Sequence, residues 1–212
     1  GYRLTGEPSY RDMQEKAAAK LARRFSSVVG CTRSWNWNDR PDDFPVIIDN
    51  MMNLELLMWS GREFRVDSLT AIARTHANTT IRNHFRPDYT TYHGVVYDPH
   101  TGAIKKRRTF QGYSDDSAWS RGQGWALYGY TMMYDQTCKD GEPHDDYLLQ
   151  AENIAKMLIE RLPEDGIPYW DFDAPEIPEA LRDASAGSLM ASAFILLSTH
   201  TKDKTLSKAC LD

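Results

Sequence analysis

Asp49-Asn50-Met51-Met52-Asn53-Leu54-Glu55-Leu56-Leu57-Met58-Trp59-Ser60-Gly61-Arg62-Glu63 is the stretch on which the fold turns. Met51, Leu54 and Met58 recur at three- and four-residue steps, the period of one helix face. The pattern predicts a helix from Asp49 to about Ser60, broken by Gly61, and a second helix from Glu63 to about His84. Pro87 disfavours helix beyond Phe85. Two helices with so short a break between them form a helical hairpin.

The same alternation extends in both directions. Upstream, Met13, Ala17, Leu21, Phe25 and Val28 predict an amphipathic helix over Tyr10 to Val28, with Ser9 as N-cap and Gly30 at its stop. A loop from Cys31 to Pro45 follows and holds Trp35-Asn36-Trp37-Asn38-Asp39. Downstream, Tyr92 to Tyr97 reads as a strand, Asp98 to Gly102 as a turn, and Ala103 to Thr109 as the strand that pairs back. After a polar loop, Phe110 to Ser117, helices are expected over Ala118 to about Tyr134, Asp145 to Leu162 and Ser185 to His200. Pro163, Pro168, Pro175 and Pro178 mark the loop before the last of these. There is no βαβ alternation and no GxGxxG. The fold class is therefore all-α, an α/α toroid in which inner and outer helices alternate, with a short β-hairpin near residues 92–109. A six-hairpin toroid needs roughly twice the helices counted here. Residues 1–212 are thus expected to be a single catalytic domain that is a fragment of a longer toroid.

Composition narrows the function. Hydrophobic residues make up 41% and charged residues 26%, an ordinary globular balance rather than a disordered one. No apolar run reaches the ~18 residues of a membrane helix. Gly1-Tyr2-Arg3-Leu4 has no signal-peptide layout, which leaves cytoplasm and periplasm both open. The net charge of −5, with no basic stripe, argues against nucleic acid as a partner. Lys105-Lys106-Arg107-Arg108 reads either as a solvated hairpin edge or as an attraction for an anionic sugar chain. Cys31, Cys138 and Cys210 are odd in number, far apart and without CxxC spacing, so neither a disulfide framework nor a zinc site is indicated. Six Trp and eleven Tyr, several in polar loop stretches, suit the stacking of sugar faces.

Four segments carry candidate chemistry, each with a structural reading beside the functional one. In Val46-Ile47-Ile48-Asp49-Asn50-Met51-Met52-Asn53, Asp49 is either an N-cap or a general acid whose pKa the apolar flank raises. In Arg86-Pro87-Asp88-Tyr89-Thr90-Thr91-Tyr92-His93, Asp88 and Thr90 form a turn, and His93 is either a satisfied strand histidine or a group aimed at a ligand. Phe110 to Trp125 is the densest segment. Gly122 and Gly124 near a helix start cost propensity and call for close approach of a backbone or ligand. Arg121 and Trp125, four apart, share a helix face as a cation for a carboxylate and a ring for a sugar, or else as an ordinary Arg–Trp stack. Asp115 and Asp116 read as caps, with no spacing for a metal. In Arg182-Asp183-Ala184-Ser185-Ala186-Gly187, Asp183 and Ser185 form a capping signature before an apolar helix.

Taken in order, Ile48-Asp49-Asn50-Met51-Met52-Asn53, Arg86-Pro87-Asp88 with Thr91-Tyr92-His93, Gln111-Gly112-Tyr113-Ser114-Asp115-Asp116-Ser117 and Trp119-Ser120-Arg121-Gly122-Gln123-Gly124-Trp125 resemble the unsaturated glucuronyl hydrolases of glycoside hydrolase family 88. The resemblance spans roughly Cys31 to Thr199. It implies an (α/α)6 toroid and a hydrolase without metal or other cofactor. The substrate it implies is an oligosaccharide left by a polysaccharide lyase, with a C4=C5 unsaturated uronic acid at its non-reducing end. Asp49 matches the catalytic acid/base; His93, Gln111, Arg121 and Trp125 match residues around the unsaturated sugar, and Trp35 an aromatic of the pocket. The family also has a second aspartate on a helix preceding this region. Asp39, Asp42 and Asp43 sit in the wrong segment to match it, so the site is expected to be incomplete.

The chemistry implied is hydration of a vinyl ether, unlike glycoside cleavage by two carboxyl groups flanking the bond. Asp49 would give its proton to C4 and then take one from the water attacking C5. Gln111 or His93 would position that water, Arg121 would hold the substrate carboxylate, and Trp125 would stack on the ring. Three other classes are distinguishable. Unsaturated rhamnogalacturonyl hydrolases of family 105 would prefer pectin-derived disaccharides. A sugar epimerase on a related toroid would keep the double bond. A non-catalytic carbohydrate-binding module would leave its ligand unchanged. Oligomeric state, polymer of origin and sulfation preference are open from sequence.

Overall fold

The structure, a computed structural model, describes residues 1–37 and 39–211; Asn38, inside the Cys31–Pro45 loop, lies outside the described residues. A short helix α1 (Tyr2–Thr5) precedes α2 (Pro8–Ala22). Pro8 opens α2, where its missing N–H costs nothing, and Glu7 rather than Ser9 stands before it. The helix ends six residues short of Val28. Strand β1 (Phe25–Ser26) instead pairs with β2 (Cys31–Thr32), and Gly30, at φ 75°, allows the turn between them.

Strand β3 (Phe44–Ile47) leads into α3 (Asn50–Phe64) and α4 (Asp67–His84). Gly61 does not break this hairpin but lies within α3. A Cβ there would stand 2.5 Å from Thr70 Cγ2, so the glycine lets α4 close onto α3. The chain reverses instead at Arg65, in the left-handed region at φ 55°.

Strands β4 (Gly94–Tyr97) and β5 (Ile104–Arg108) form the expected hairpin. β3 joins it as a third strand, antiparallel to β4 with Ile47 opposite Gly94. The prolines and acids of the 31–45 loop hide this strand in the sequence. β5 is one of the two edge strands. Lys105 pairs with Asp43 and Lys106 with Asp115, the charged edge that discourages further strand pairing.

Helices α5 (Ser120–Lys139), α6 (Asp145–Arg161), α7 (Ala184–Ser198) and the short α8 (Lys204–Ala209) complete the chain. α3, α5 and α7 pack side by side as an inner row, and α4, α6 and α8 follow them as outer partners. This is the toroid pattern of alternating inner and outer helices. α5 is the centre of the row because glycine lines it on two sides. A Cβ on Gly129 would meet Met51 Cβ of α3 at 2.4 Å, and one on Gly124 would meet Leu189 Cδ2 of α7 at 3.1 Å. Met51, Leu54, Leu57 and Met58 bury fully against Leu127, Tyr130 and Met133, each such burial contributing roughly 1.5–3 kcal/mol. Tyr130 donates to Ala77 O (2.9 Å) and Tyr147 to Asn78 Oδ1 (2.8 Å), tying α5 and α6 to α4. A smaller core of Val29, Cys31, Phe44, Val46, Val95 and Tyr97 fills the underside of the sheet. The three cysteines are free, and no described helix is long and apolar enough to cross a membrane.

Candidate active site

Asp49 occupies the corner between β3 and α3. Its backbone is already helical (φ −56°, ψ −27°), and its side chain makes no capping bond, so the N-cap reading is not realised. Asn50 beside it is buried, donating to Thr32 O at 2.8 Å and accepting from Ser34 Oγ at 3.1 Å, which fixes the corner to the preceding loop. Of the apolar flank, Ile48 and Met51 are fully buried while Met52 is exposed. The Asp49 side chain is only 16% exposed, and its Oδ2 lies 3.7 Å from His93 Nε2. Neither of these two buried atoms has a hydrogen-bond partner among the described residues. Burial pushes the Asp49 carboxyl up to about 6, against smaller downward pulls from its own backbone N–H and Arg121. A carboxyl held there is a proton donor that can recover its proton near neutral pH.

His93 precedes β4, and its carbonyl accepts from Ile48 N at 2.9 Å, extending the β3–β4 ladder by one step. Its side chain is buried. Nδ1 accepts from Phe110 N (3.1 Å) and Gln111 N (3.3 Å), so the proton of the neutral ring belongs on Nε2, facing Asp49. Burial, with a contribution from the Arg121 charge, lowers the imidazole to about 4. Trp119 lies tilted against one face of the ring at 4.3 Å, and Phe110 meets it edge-on at 5.4 Å. His93 is thus a satisfied strand-end histidine on one side, and on the other its Nε2–H faces Asp49.

Arg121, in the first turn of α5, donates to Asp183 Oδ2 (2.9 Å) and to Gln111 Oε1 (3.2 Å). Its guanidinium lies over Trp119 at 4.9 Å, not over Trp125. The Arg121–Trp125 stack, the structural alternative, is therefore not formed: the i−2 ring underlies the cation, and Trp125 packs edge-on against Tyr128 one turn further along α5. Asp183 caps α7 by accepting from Ala186 N (2.9 Å), as its sequence signature predicts, and its second oxygen reaches Arg121. The N-terminal ends of α3, α5 and α7 consequently converge on one site, with Arg121 acting electrostatically on both Asp49 and His93.

Trp35 meets Phe110 edge-on at 4.9 Å and Trp37 at 5.7 Å, which sets it on the aromatic wall beside His93. Gln111 is exposed on the rim. Asp49, His93, Gln111, Arg121 and Trp35 are thus linked through direct contacts or Phe110, while Trp125 lies one turn along α5 from Arg121. Asp88 forms the expected turn, accepting from Thr90 N and Oγ1. Asp115 does not cap α5, because the N-cap position belongs to Trp119; it accepts from Thr109 N at 2.8 Å and holds the 109–117 loop. Gly122 and Gly124 are explained by packing: added Cβ atoms would stand 2.9 Å from Trp119 Cε3 and 3.1 Å from Leu189 Cδ2. Trp119, Phe110 and the second role of Asp183 were not legible as site features. Only their place inside the dense polar–aromatic segments hinted at them. Among the described residues no cluster of three or more His, Cys, Asp or Glu is arranged to hold a metal ion.

No family model matches the chain. Individual relatives do. An unsaturated glucuronyl hydrolase of Formosa agariphila is 46% identical over 198 residues, 92% of this chain and 48% of the relative. An unsaturated chondroitin disaccharide hydrolase of Streptococcus pyogenes serotype M1 is 33% identical over 97% of this chain and 49% of its own length. The crystal structure of an unsaturated glucuronyl hydrolase specific for heparin superposes with a TM-score of 0.90 at 43% identity, covering 99% of this chain and 56% of that one. That of the Bacillus sp. GL1 enzyme gives 0.89 at 28% identity, covering 99% and 56%. The chain spans about half the length of the curated relatives it matches. By sequence and by fold alike, it is homologous to about half of an unsaturated glucuronyl hydrolase.

Proposed function

We propose that this chain carries the acid/base half of an active site that hydrates the C4=C5 bond of an unsaturated uronic acid at the non-reducing end of a glycosaminoglycan-type oligosaccharide. The observation that supports this most is the isolated, desolvated Asp49 carboxyl, raised to about 6 and faced by a neutral histidine. Protonated Asp49 donates to C4, and positive charge develops at C5 and the ring oxygen. Asp49, now a carboxylate, takes a proton from the water that bonds to C5. The resulting hemiketal opens to a C5 ketone and a C1 hemiacetal, which releases the second sugar. His93 Nε2–H steadies the carboxylate while it is charged. Gln111 and the outer face of Arg121 meet the substrate carboxylate, and Trp35 lines the sugar's apolar face. Arg121 needs no reorganisation for this, because Asp183 already fixes its fork.

Ultraviolet absorbance of an unsaturated chondroitin-type disaccharide tests the reading, with Asp49→Asn alongside. Decay with the unaltered protein alone supports it. Equal decay with both removes Asp49 from the reaction. Absence of decay in a chain of the relatives' full length, pectin-derived disaccharides included, refutes the assignment.

A further inference from the structure

Asp171 lies outside every helix and named strand, yet it is completely buried. Among the described residues no Lys, Arg or His lies within 4.0 Å to pair with its carboxylate. What it meets are donors from one loop and one turn. Oδ2 accepts from Tyr113 N (2.9 Å) and Ser117 Oγ (2.7 Å), and Oδ1 accepts from Asp173 N (2.9 Å). Its own backbone is anchored to the start of α5: Phe172 N donates to Ala118 O at 3.0 Å and Ser120 N to Trp170 O at 3.3 Å. The carboxylate is therefore fixed relative to Trp119, the ring that packs against His93.

The 109–117 segment that it grips is a small knot. Thr109 Oγ1 accepts from Gly112 N at 2.6 Å, and a Cβ on Gly112 would stand 3.0 Å from Asp171 Oδ2. What this knot presents to the site is the pair of N–H groups of Phe110 and Gln111, both aimed at His93 Nδ1. We propose that Asp171 is a positioning residue that sets the tautomer of His93, and through it the donor facing Asp49, by holding the 109–117 loop. An acceptor-only group is required at both oxygens. An asparagine turned either way sets its NH2 against the donors on one side, Tyr113 N and Ser117 Oγ or Asp173 N. A purely structural tie would tolerate that exchange at a cost in stability alone.

The inference rests on the hydrolase reading only for its effect on turnover; its effect on His93 is independent of any substrate. Imidazole ¹⁵N correlation spectra of the chain decide it. His93 in the unaltered protein is expected as the Nε2–H tautomer. Asp171→Asn is expected to give a mixture with the Nδ1–H form, and Ser117→Ala a smaller change in the same direction. Asp173→Asn, which keeps only one of the two acceptor oxygens that now face Ala118 N and Arg161, is expected to lower stability and leave the His93 spectrum unchanged. If Asp171→Asn folds and its His93 signals match the unaltered protein, the proposal is overturned. If that variant does not fold, unchanged signals in Ser117→Ala overturn it. In an active chain, Asp171→Asn should lower kcat by about tenfold with little change in KM. Loss of that effect while the tautomer still shifts would count against the role given to His93 in turnover and not against the hold of Asp171 on its tautomer.

Discussion

Replacing Asp49 by asparagine should make the protein progressively more stable than the unaltered chain as pH rises. The Asp49 carboxyl is held at about 6 in the fold against an ordinary 3.8. Because the folded value is the higher one, the stabilisation from a protonated Asp49 is complete below the unfolded value and is lost as pH rises through the folded value. The interval between the two corresponds to about 3 kcal/mol. About 2 kcal/mol of it falls between pH values of about 4.5 and 7.5. Asparagine has the same shape but never ionises, so it escapes this loss; its amide adds an offset that does not vary with pH. Urea unfolding of both proteins across that range gives the difference directly, since every other titrating group is shared. The variant should gain about 2 kcal/mol on the unaltered protein from the acid end to the neutral end. A difference that stays flat with pH would mean that Asp49 is solvated and ordinary, and the argument for it as the acid would fail with it.

Three further outcomes follow from the geometry. His93→Phe keeps a ring between Trp119 and Phe110 but removes the donor facing Asp49. Turnover should fall about 10–100-fold, as for a lost hydrogen bond to a charged group, in a steady-state assay of a chain with full activity. Gly129→Ala gains about 1 kcal/mol of helix propensity, yet its methyl would stand 2.4 Å from Met51 Cβ. Net destabilisation of about 1–2 kcal/mol is expected from overpacking, read as a lowered melting temperature; a rise would show that α3 and α5 separate freely. His84 is fully buried and is lowered by burial to about 3, against a smaller upward pull from the Tyr92 backbone. Its contribution is therefore complete above its ordinary value of 6.5 and is lost as pH falls from there towards 3. His84→Leu should move the acid-unfolding midpoint to lower pH in a circular-dichroism titration, and an unmoved midpoint would contradict the burial argument.

The helices were legible because their apolar residues repeat on one face: α6 differs from its expected span by a single residue. Errors gather where a local signal has two meanings. Gly61 looked like a stop but serves contact with Thr70, because a missing Cβ suits a tight helix crossing as well as a break. Phe25 and Val28 continue the helical period of α2, yet Phe25 belongs to a ribbon with Thr32, a partner no local pattern can reveal. In the site, Asp49 was visible as a carboxylate with an apolar flank. The partnership of Arg121 with Trp119 and Asp183 depends on how three helix ends converge, and sequence spacing alone pointed to Trp125 instead.

The pairing of Ile47 with Gly94 fixes more than a strand register. It acts as a ruler. Asp49 leaves the end of one strand and His93 enters the start of its neighbour, and the bond from Ile48 N to His93 O clamps the interval between them. A slip of one residue would displace one group by about 3.3 Å and turn its side chain to the opposite face. The far end of the α3–α4 hairpin, around Arg65, takes no part in that spacing. Insertions at the far end of this hairpin should therefore leave the acid and its neighbour in step, whereas a single deletion in β3 would uncouple them.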